Sequence, residues 1–389
     1  MNNLPQLEIY IHIPFCVRKC LYCDFLSYPS TQKERRDYVI RLCEDIRAKK
    51  DLALEYVVST VFIGGGTPSL LEPDQITEIF MALRDTFCFV ESPEITIEAN
   101  PKTFDEKKLK TWRNLGINRL SIGLQSANDN ELKLLGRIHT YEDFRAAFEM
   151  ARIAGFDNIN VDMMIGIPAQ TMQSLKKTLS EGISYNPEHI SVYSLIIEEG
   201  TPFYRIYGPQ SATAGCDNTK QKGTLWDELP DENAERDMMH EATRVLLENG
   251  FEHYEISNFA KCGFACRHNI GYWERIQYLG FGVGAASLIK GCRYKNSEQI
   301  NSDPHEKVGE TESLSLEDEM SETMFLGLRM LKGVSLDEFK YKFNTSIQEA
   351  YPEAVEKNIK NGLLEIAHAR IRLTKRGLDL ANVVMSDFV

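Results

Sequence analysis

The chain has 389 residues, 43% of them hydrophobic and 26% charged, which is the make-up of a folded globular protein with room for one large domain and a small one. A formal net charge of −13 argues against an extended nucleic-acid surface, which would carry a basic footprint. No stretch of about 18 apolar residues could span a bilayer and no signal-peptide layout opens the chain; nine cysteines, an odd number, suit a reducing cytoplasm better than a disulfide scaffold.

The first predicted strand, Glu8–Ile13, leads into Cys16-Val17-Arg18-Lys19-Cys20-Leu21-Tyr22-Cys23. Three thiolates at C-x3-C-x2-C can hold three irons of a four-iron cluster and leave the fourth iron free to bind something else. A zinc knuckle is the competing reading, but zinc sites usually take four ligands, and the nearest further candidate, His12, lies on the strand.

Five more β-rich runs follow: Val58–Ile63, Glu94–Ala99, Asn118–Leu124, Asn158–Met163 and His189–Ile196. Amphipathic segments alternate with them, at Lys33–Asp51, Asp74–Phe87, Asp105–Leu115, Tyr141–Ala154 and Thr171–Ser184. Six βα units predict an α/β fold, a parallel sheet closed or partly closed into a (β/α)6 barrel. One strand face is apolar, for example Ile9, Ile11 and Ile13, or Ile159, Val161 and Met163. The other carries Tyr10, His12, Thr96, Glu98, Arg119, Ser121, Gln125, Asn160 and Asp162. With the apolar face on the helices, the lumen is polar and suits a hydrophilic ligand; an open sheet facing solvent is the alternative. Gly64-Gly65-Gly66-Thr67 after the second strand lets backbone amides approach a ligand closely.

The cysteine loop, with Tyr10-Ile11-His12-Ile13-Pro14-Phe15 before it, resembles the radical S-adenosylmethionine (SAM) superfamily, and within it the oxygen-independent coproporphyrinogen III oxidase family and its heme chaperone branch. The resemblance implies a 4Fe-4S cluster on Cys16, Cys20 and Cys23, and SAM at its open iron, where reductive cleavage of a carbon–sulfur bond yields a 5′-deoxyadenosyl radical. It assigns Gly65, Gly66 and Thr67 to the methionine part of SAM, with Glu98 and Gln125 as further contacts. It assigns Arg137 to the carboxylate, Asp162 to a ribose hydroxyl, the backbone around Tyr22 to adenine, and Tyr10 and Ile196 to the remaining contacts.

Residues 207–230 turn rich in Gly, Pro, Ser, Thr and Asn, so an insertion or loop is predicted over 207–231 between a core at 1–206 and an extension at 232–314. A helix over Glu232–Asn249 precedes Cys266-Arg267-His268-Asn269-Ile270-Gly271-Tyr272-Trp273. His268-Asn269-x-x-Tyr272-Trp273 matches the motif that the heme chaperone branch uses for heme: the imidazole can ligate iron and the aromatic rings can pack on the macrocycle. Cys262, Cys266 and His268 offer a second, less complete metal set. Residues 315–389 predict a small domain of three helices and a hairpin near Leu363–Leu373, winged-helix-like. Its twelve acids and ten bases from Glu317 onward disfavour DNA binding, leaving open whether it covers the barrel mouth or docks a partner.

Two departures separate the chain from the decarboxylating oxidases of that family. Phe25 stands where they carry a fourth Cys, and fifteen residues precede Cys16 where they have a long extension. The expected function is therefore heme binding and transfer to acceptor hemoproteins, with an electron donor for the cluster. The alternatives are a porphyrin enzyme such as coproporphyrinogen III dehydrogenase or a heme ring-opening enzyme, and, more remotely, RNA modification.

Overall fold

The computed structural model describes residues 4–208, 228–300 and 307–389. The predicted insertion over 207–231 lies mostly outside the described residues. Six parallel strands run in chain order: β1 (Gln6–Ile13), β2 (Val57–Gly65), β3 (Phe89–Ala99), β4 (Arg119–Gln125), β5 (Ile159–Ile165) and β6 (His189–Ser194). Five helices cross between them: α1 (Gln32–Ala48), α2 (Pro73–Thr86), α3 (Glu106–Leu115), α4 (Tyr141–Ile153) and α5 (Met172–Ser184). Their starts are set by local chemistry. Thr31 with Glu34, Thr140 with Asp143, and Thr171 with Ser174 form capping boxes, which satisfy N–H groups the helix leaves free.

The strand faces explain the curvature. Ile9, Ile11, Ile13, Ile97, Leu120, Ile122, Val161 and Met163 pack with the helices in one apolar core. The opposite face is polar and yet covered: Thr96, Arg119, Ser121 and Asn160 are all buried. A flat sheet facing solvent would leave them wet, so the open-sheet alternative falls. The parallel sheet instead bends around a lumen, as an open barrel.

The segment predicted as an extension extends both edges of the same sheet. After helix α6 (Glu232–Glu248) come β7 (Glu252–Glu255) and β8 (Asn258–Ala260), antiparallel on β6. Helix α7 (Arg267–Trp273) follows, and β9 (Tyr278–Phe281) then lies parallel beside β1, continued by β10 (Ala286–Ile289), β11 (Cys292–Asn296) and β12 (Lys307–Ser313). The C-terminal unit begins with α8 (Leu316–Gly327) and has its own core, including Met324, Phe339, Phe343, Ile371 and Phe388. The expected hairpin is present at Leu364–Ala367 and Arg370–Leu373, with Val334–Ser335 as a third strand. It abuts the large sheet through the amide of Ile256 on the Arg329 carbonyl (3.1 Å) and that of Leu331 on the Tyr254 carbonyl (3.0 Å). No helix among the described residues is long and apolar enough to cross a membrane.

Candidate functional site

The cysteine loop leaves β1 at Ile13 and is pinned at several points. The Tyr28 amide donates to the Pro14 carbonyl (2.8 Å), the Cys16 amide to Tyr28 (3.0 Å) and the Leu21 amide to Leu135 (3.0 Å). His12, on the strand, accepts from the Tyr10 hydroxyl at Nδ1 (3.0 Å) and donates from Nε2 to the Leu26 carbonyl (2.8 Å). His12 therefore ties the far side of the loop to the strand. Gly65, at φ +108°, leaves the room its ring needs, since a Cβ there would lie 2.5 Å from it.

Cys16, Cys20 and Cys23 are all partly exposed free thiols. They face a cavity of about 480 Å³ at the carboxyl ends of the parallel strands. Of the residues assigned to SAM, Tyr22, Gly65, Gly66, Thr67, Glu98, Gln125, Arg137, Asp162 and Ile196 all line it. Tyr10 lies instead in an adjoining pocket, with His12 and Phe25, that shares Gly65 and Glu98 with the main one. Sequence reasoning missed Asn100 and Tyr193. Asn100 donates to Thr67 Oγ1 (3.0 Å) and accepts from Arg137 (2.5 Å); Tyr193 lines the cavity from β6. Tyr193 was legible in principle, as the next inward position after His189 and Ser191.

The lining brings a guanidinium, two carboxyls and close backbone amides to one cavity. Gly65 donates its amide to Glu98 (3.1 Å). Burial pushes the Glu98 carboxyl up to about 8, with the nearby Asp162 adding to the shift. Burial also raises Asp162, opposed by hydrogen bonds from Asn160 (2.7 Å) and Ser121 (3.0 Å). Gln125 sits at φ +66°, a left-handed backbone that costs a non-glycine residue about 1 kcal/mol and is typical of ligand sites. Arg137 reaches Cys20 Sγ (3.7 Å) and Asn100, while its buried Nε has no partner among the described residues. A guanidinium with a donor to spare, beside three thiols and two carboxylates, fits a cluster and a carboxylate-bearing ligand. Among the described residues, no three His, Cys, Asp or Glu side chains converge tightly enough for a single metal ion. His12, the nearest further candidate for a zinc ligand, is engaged at both ring nitrogens, by the Tyr10 hydroxyl and by the Leu26 carbonyl.

The expected heme motif is not on an open face. His268, Asn269, Tyr272 and Trp273 all lie on α7, which plugs the lumen at the amino ends of the strands. His268 is 1% exposed; its Nδ1 meets Thr60 Oγ1 (2.7 Å) and its ring stacks on Phe62 (centroids 5.2 Å). Tyr272, one turn on, packs edge-on against it, while Trp273 lies beneath Arg329 of the C-terminal unit (4.3 Å). Asn269 is half-buried, about 100° around the helix from His268. Glu94 receives the amides of Arg267 (3.0 Å) and His268 (3.1 Å) and so anchors the helix start. Burial, then the positive Arg119, push His268 down to about 3. Its 3.9 Å approach to Glu8 is therefore neutral imidazole beside a buried carboxyl, not an ion pair. The second metal set is not formed either: Cys262 is exposed, while Cys266 is fully buried beside Glu94 (3.6 Å).

Residues 10–181 match the family model of the radical SAM superfamily, and residues 314–380 that of the HemN C-terminal domain. The chain is 34% identical over 384 residues to the heme chaperone HemW of Lactococcus lactis subsp. lactis, covering 98% of this chain and 96% of that one. It is 35% identical over 387 residues to the heme chaperone HemW of Bacillus subtilis, covering 98% of each. Its fold is similar to the solved structure of coproporphyrinogen III oxidase (HemN) from Escherichia coli, a radical SAM enzyme, with a TM-score of 0.82 at 23% identity over 99% of this chain and 90% of that one. The branch to which the cysteine loop and the His-Asn-x-x-Tyr-Trp motif point is the one these relatives carry. The chain belongs to the HemW family of radical SAM proteins.

Proposed function

We propose that this protein binds heme and passes it to acceptor hemoproteins of the cytoplasm, using a 4Fe-4S cluster on Cys16, Cys20 and Cys23 with SAM beside it. The observation that carries the cofactor part is the cysteine loop facing Gly65, Gly66, Thr67, Glu98, Arg137 and Asp162 across one cavity. The heme part is supported by the His268 motif and by the relatives named heme chaperone HemW. Bound together, cluster and SAM supply one-electron chemistry.

The chain's own groups do the positioning. Arg137 offers its free Nε–H to a carboxylate while holding Cys20 and Asn100. Asp162 would meet a ribose hydroxyl of bound SAM, and Glu98 would supply a further contact. Removing the guanidinium deletes charge-assisted hydrogen bonds, so Arg137→Ala is expected to weaken SAM binding to the reconstituted protein about 10- to 100-fold by equilibrium binding. Arg137→Lys keeps the charge but loses the planar fork and should recover only part of it. Unchanged SAM affinity in Arg137→Ala would remove this residue from the site.

His268 is the proposed axial ligand, through Nε2, which has no partner among the described residues. The test is anaerobic reconstitution followed by two assays on one preparation. Heme titration by absorbance should give saturable binding that is lost in His268→Ala. Incubation with coproporphyrinogen III, SAM and reductant should yield no carbon dioxide. Decarboxylation would overturn the carrier reading in favour of the dehydrogenase; binding that survives His268→Ala would remove this ligand.

A further inference from the structure

Helix α7 carries the proposed heme ligand inward, and its contacts divide between two bodies. The barrel holds its amino end, through Glu94 on the first amides and Thr60 and Phe62 on the His268 ring. Its carboxyl end is held on one side by the barrel, through Glu8 at Gly271 and Tyr278 on Tyr272 (centroids 4.7 Å), and on the other by the C-terminal unit. Arg329 lies over the Trp273 ring (4.3 Å), Lys332 reaches Glu274 (2.5 Å), and Arg275, just past the helix, pairs with Glu322 (2.8 Å) and Glu319 (3.3 Å). Glu322 in turn takes Arg293 of β11 (2.5 Å).

We infer that the C-terminal unit is a latch: docked on Trp273 and Arg275, it keeps α7 in the barrel floor with His268 covered, and its displacement frees α7 to present His268. The inference rests on the proposed heme role of that residue for its purpose, but not for its geometry. Three observations support it. The seam is built mainly from ion pairs, a cation over a ring and the short bridge of Arg329–Leu331, with Ile256 as an apolar contact, whereas each body has a continuous apolar core. Polar seams between bodies open more readily than cores. The seam and the helix bury several polar atoms with no hydrogen-bond partner among the described residues, namely Trp273 Nε1, Arg329 Nε, Glu8 Oε2 and His268 Nε2, while Glu255 Oε2 has only the longer ion pair to Arg329 (3.7 Å), so the closed state is not fully satisfied. Finally, α7 is seven residues long with no capping side chain of its own, too short to persist without its anchors.

Cys266, at the start of α7 and fully buried, reports opening directly, and Cys43, buried in the main core, reports global unfolding. The full chain, reconstituted anaerobically in a Cys262→Ser background, is pulsed with iodoacetamide and the labelled peptides are quantified by mass spectrometry. Glu322→Gln removes the charge that holds Arg275 without touching His268. It should speed Cys266 labelling about tenfold, with Cys43 unchanged. Arg329→Gln, which releases Trp273, should act in the same direction and serves if the first variant does not fold. Unchanged Cys266 labelling, or Cys43 rising in step with it, would overturn the latch. Faster labelling with heme uptake that does not depend on His268 would leave the latch standing and overturn the heme assignment instead.

Discussion

Gly66→Ala is expected to empty the cluster site while leaving all three cysteines in place. A Cβ at Gly66 would lie 2.7 Å from the Phe15 carbonyl oxygen, 2.9 Å from the Phe15 amide nitrogen and 3.0 Å from the Ile13 carbonyl oxygen. All three are backbone atoms, which cannot rotate aside as a side chain would. The Gly66 amide also donates to Ile13 (2.9 Å), so the two segments are already at hydrogen-bonding distance. The stretch from Ile13 to Phe15 must therefore retreat, and Cys16 goes with it. Loss of a supporting contact around a metal site typically costs 10- to 100-fold in metal affinity. Iron per chain after anaerobic reconstitution, and the cluster's visible absorbance, should fall by about that range under limiting iron, with the far-ultraviolet circular dichroism unchanged. A full complement of iron in the variant would show that the glycine is not needed for close approach.

The second large effect is on stability. Glu8 sits in the barrel floor, 1% exposed, against Gly271 of α7, where any side chain would collide with its carboxylate. Burial pushes its carboxyl up from about 4.5 to about 9, opposed by a hydrogen bond with Thr60 and reinforced by the charge of Glu94. The folded chain therefore keeps a proton that the unfolded chain has lost between those two values, and stability falls as pH rises through the window. The limiting slope is about 1.4 kcal/mol per pH unit. Glu8→Gln keeps the shape and removes the titration. Its unfolding free energy should gain on the parent by up to about 3 kcal/mol between pH 6 and pH 8, with no further pH-dependent gain below pH 4.5. Denaturant melts at several pH values give this difference, in which the other buried carboxyls cancel. Parallel curves for the two proteins would show that Glu8 ionises freely in the folded state.

The alternation of Ile9, Ile11 and Ile13 with Glu8, Tyr10 and His12 was readable from sequence because a strand repeats every two residues, whichever fold it joins. The same rule would have found Tyr193. Arg137 and Asn100 lie in segments without period, so only the family resemblance pointed to Arg137, and nothing pointed to Asn100. How the segment after residue 231 pairs was not legible in the sequence for a related reason. Its strands are short, and the pairing of β9 with β1 joins residues about 270 apart, which no local pattern encodes.

By itself, the sequence determined the βα order, the polar lumen, the cysteine loop and the family, since each depends on residue type at fixed local spacing. The direction in which α7 points was decided only by the tertiary structure. A His-Asn-x-x-Tyr-Trp segment looks the same whether its rings face solvent or a core. His268 is turned inward by Thr60, Phe62 and Glu94, which stand more than 170 residues away in the chain, and by a C-terminal unit that holds the other end of the helix.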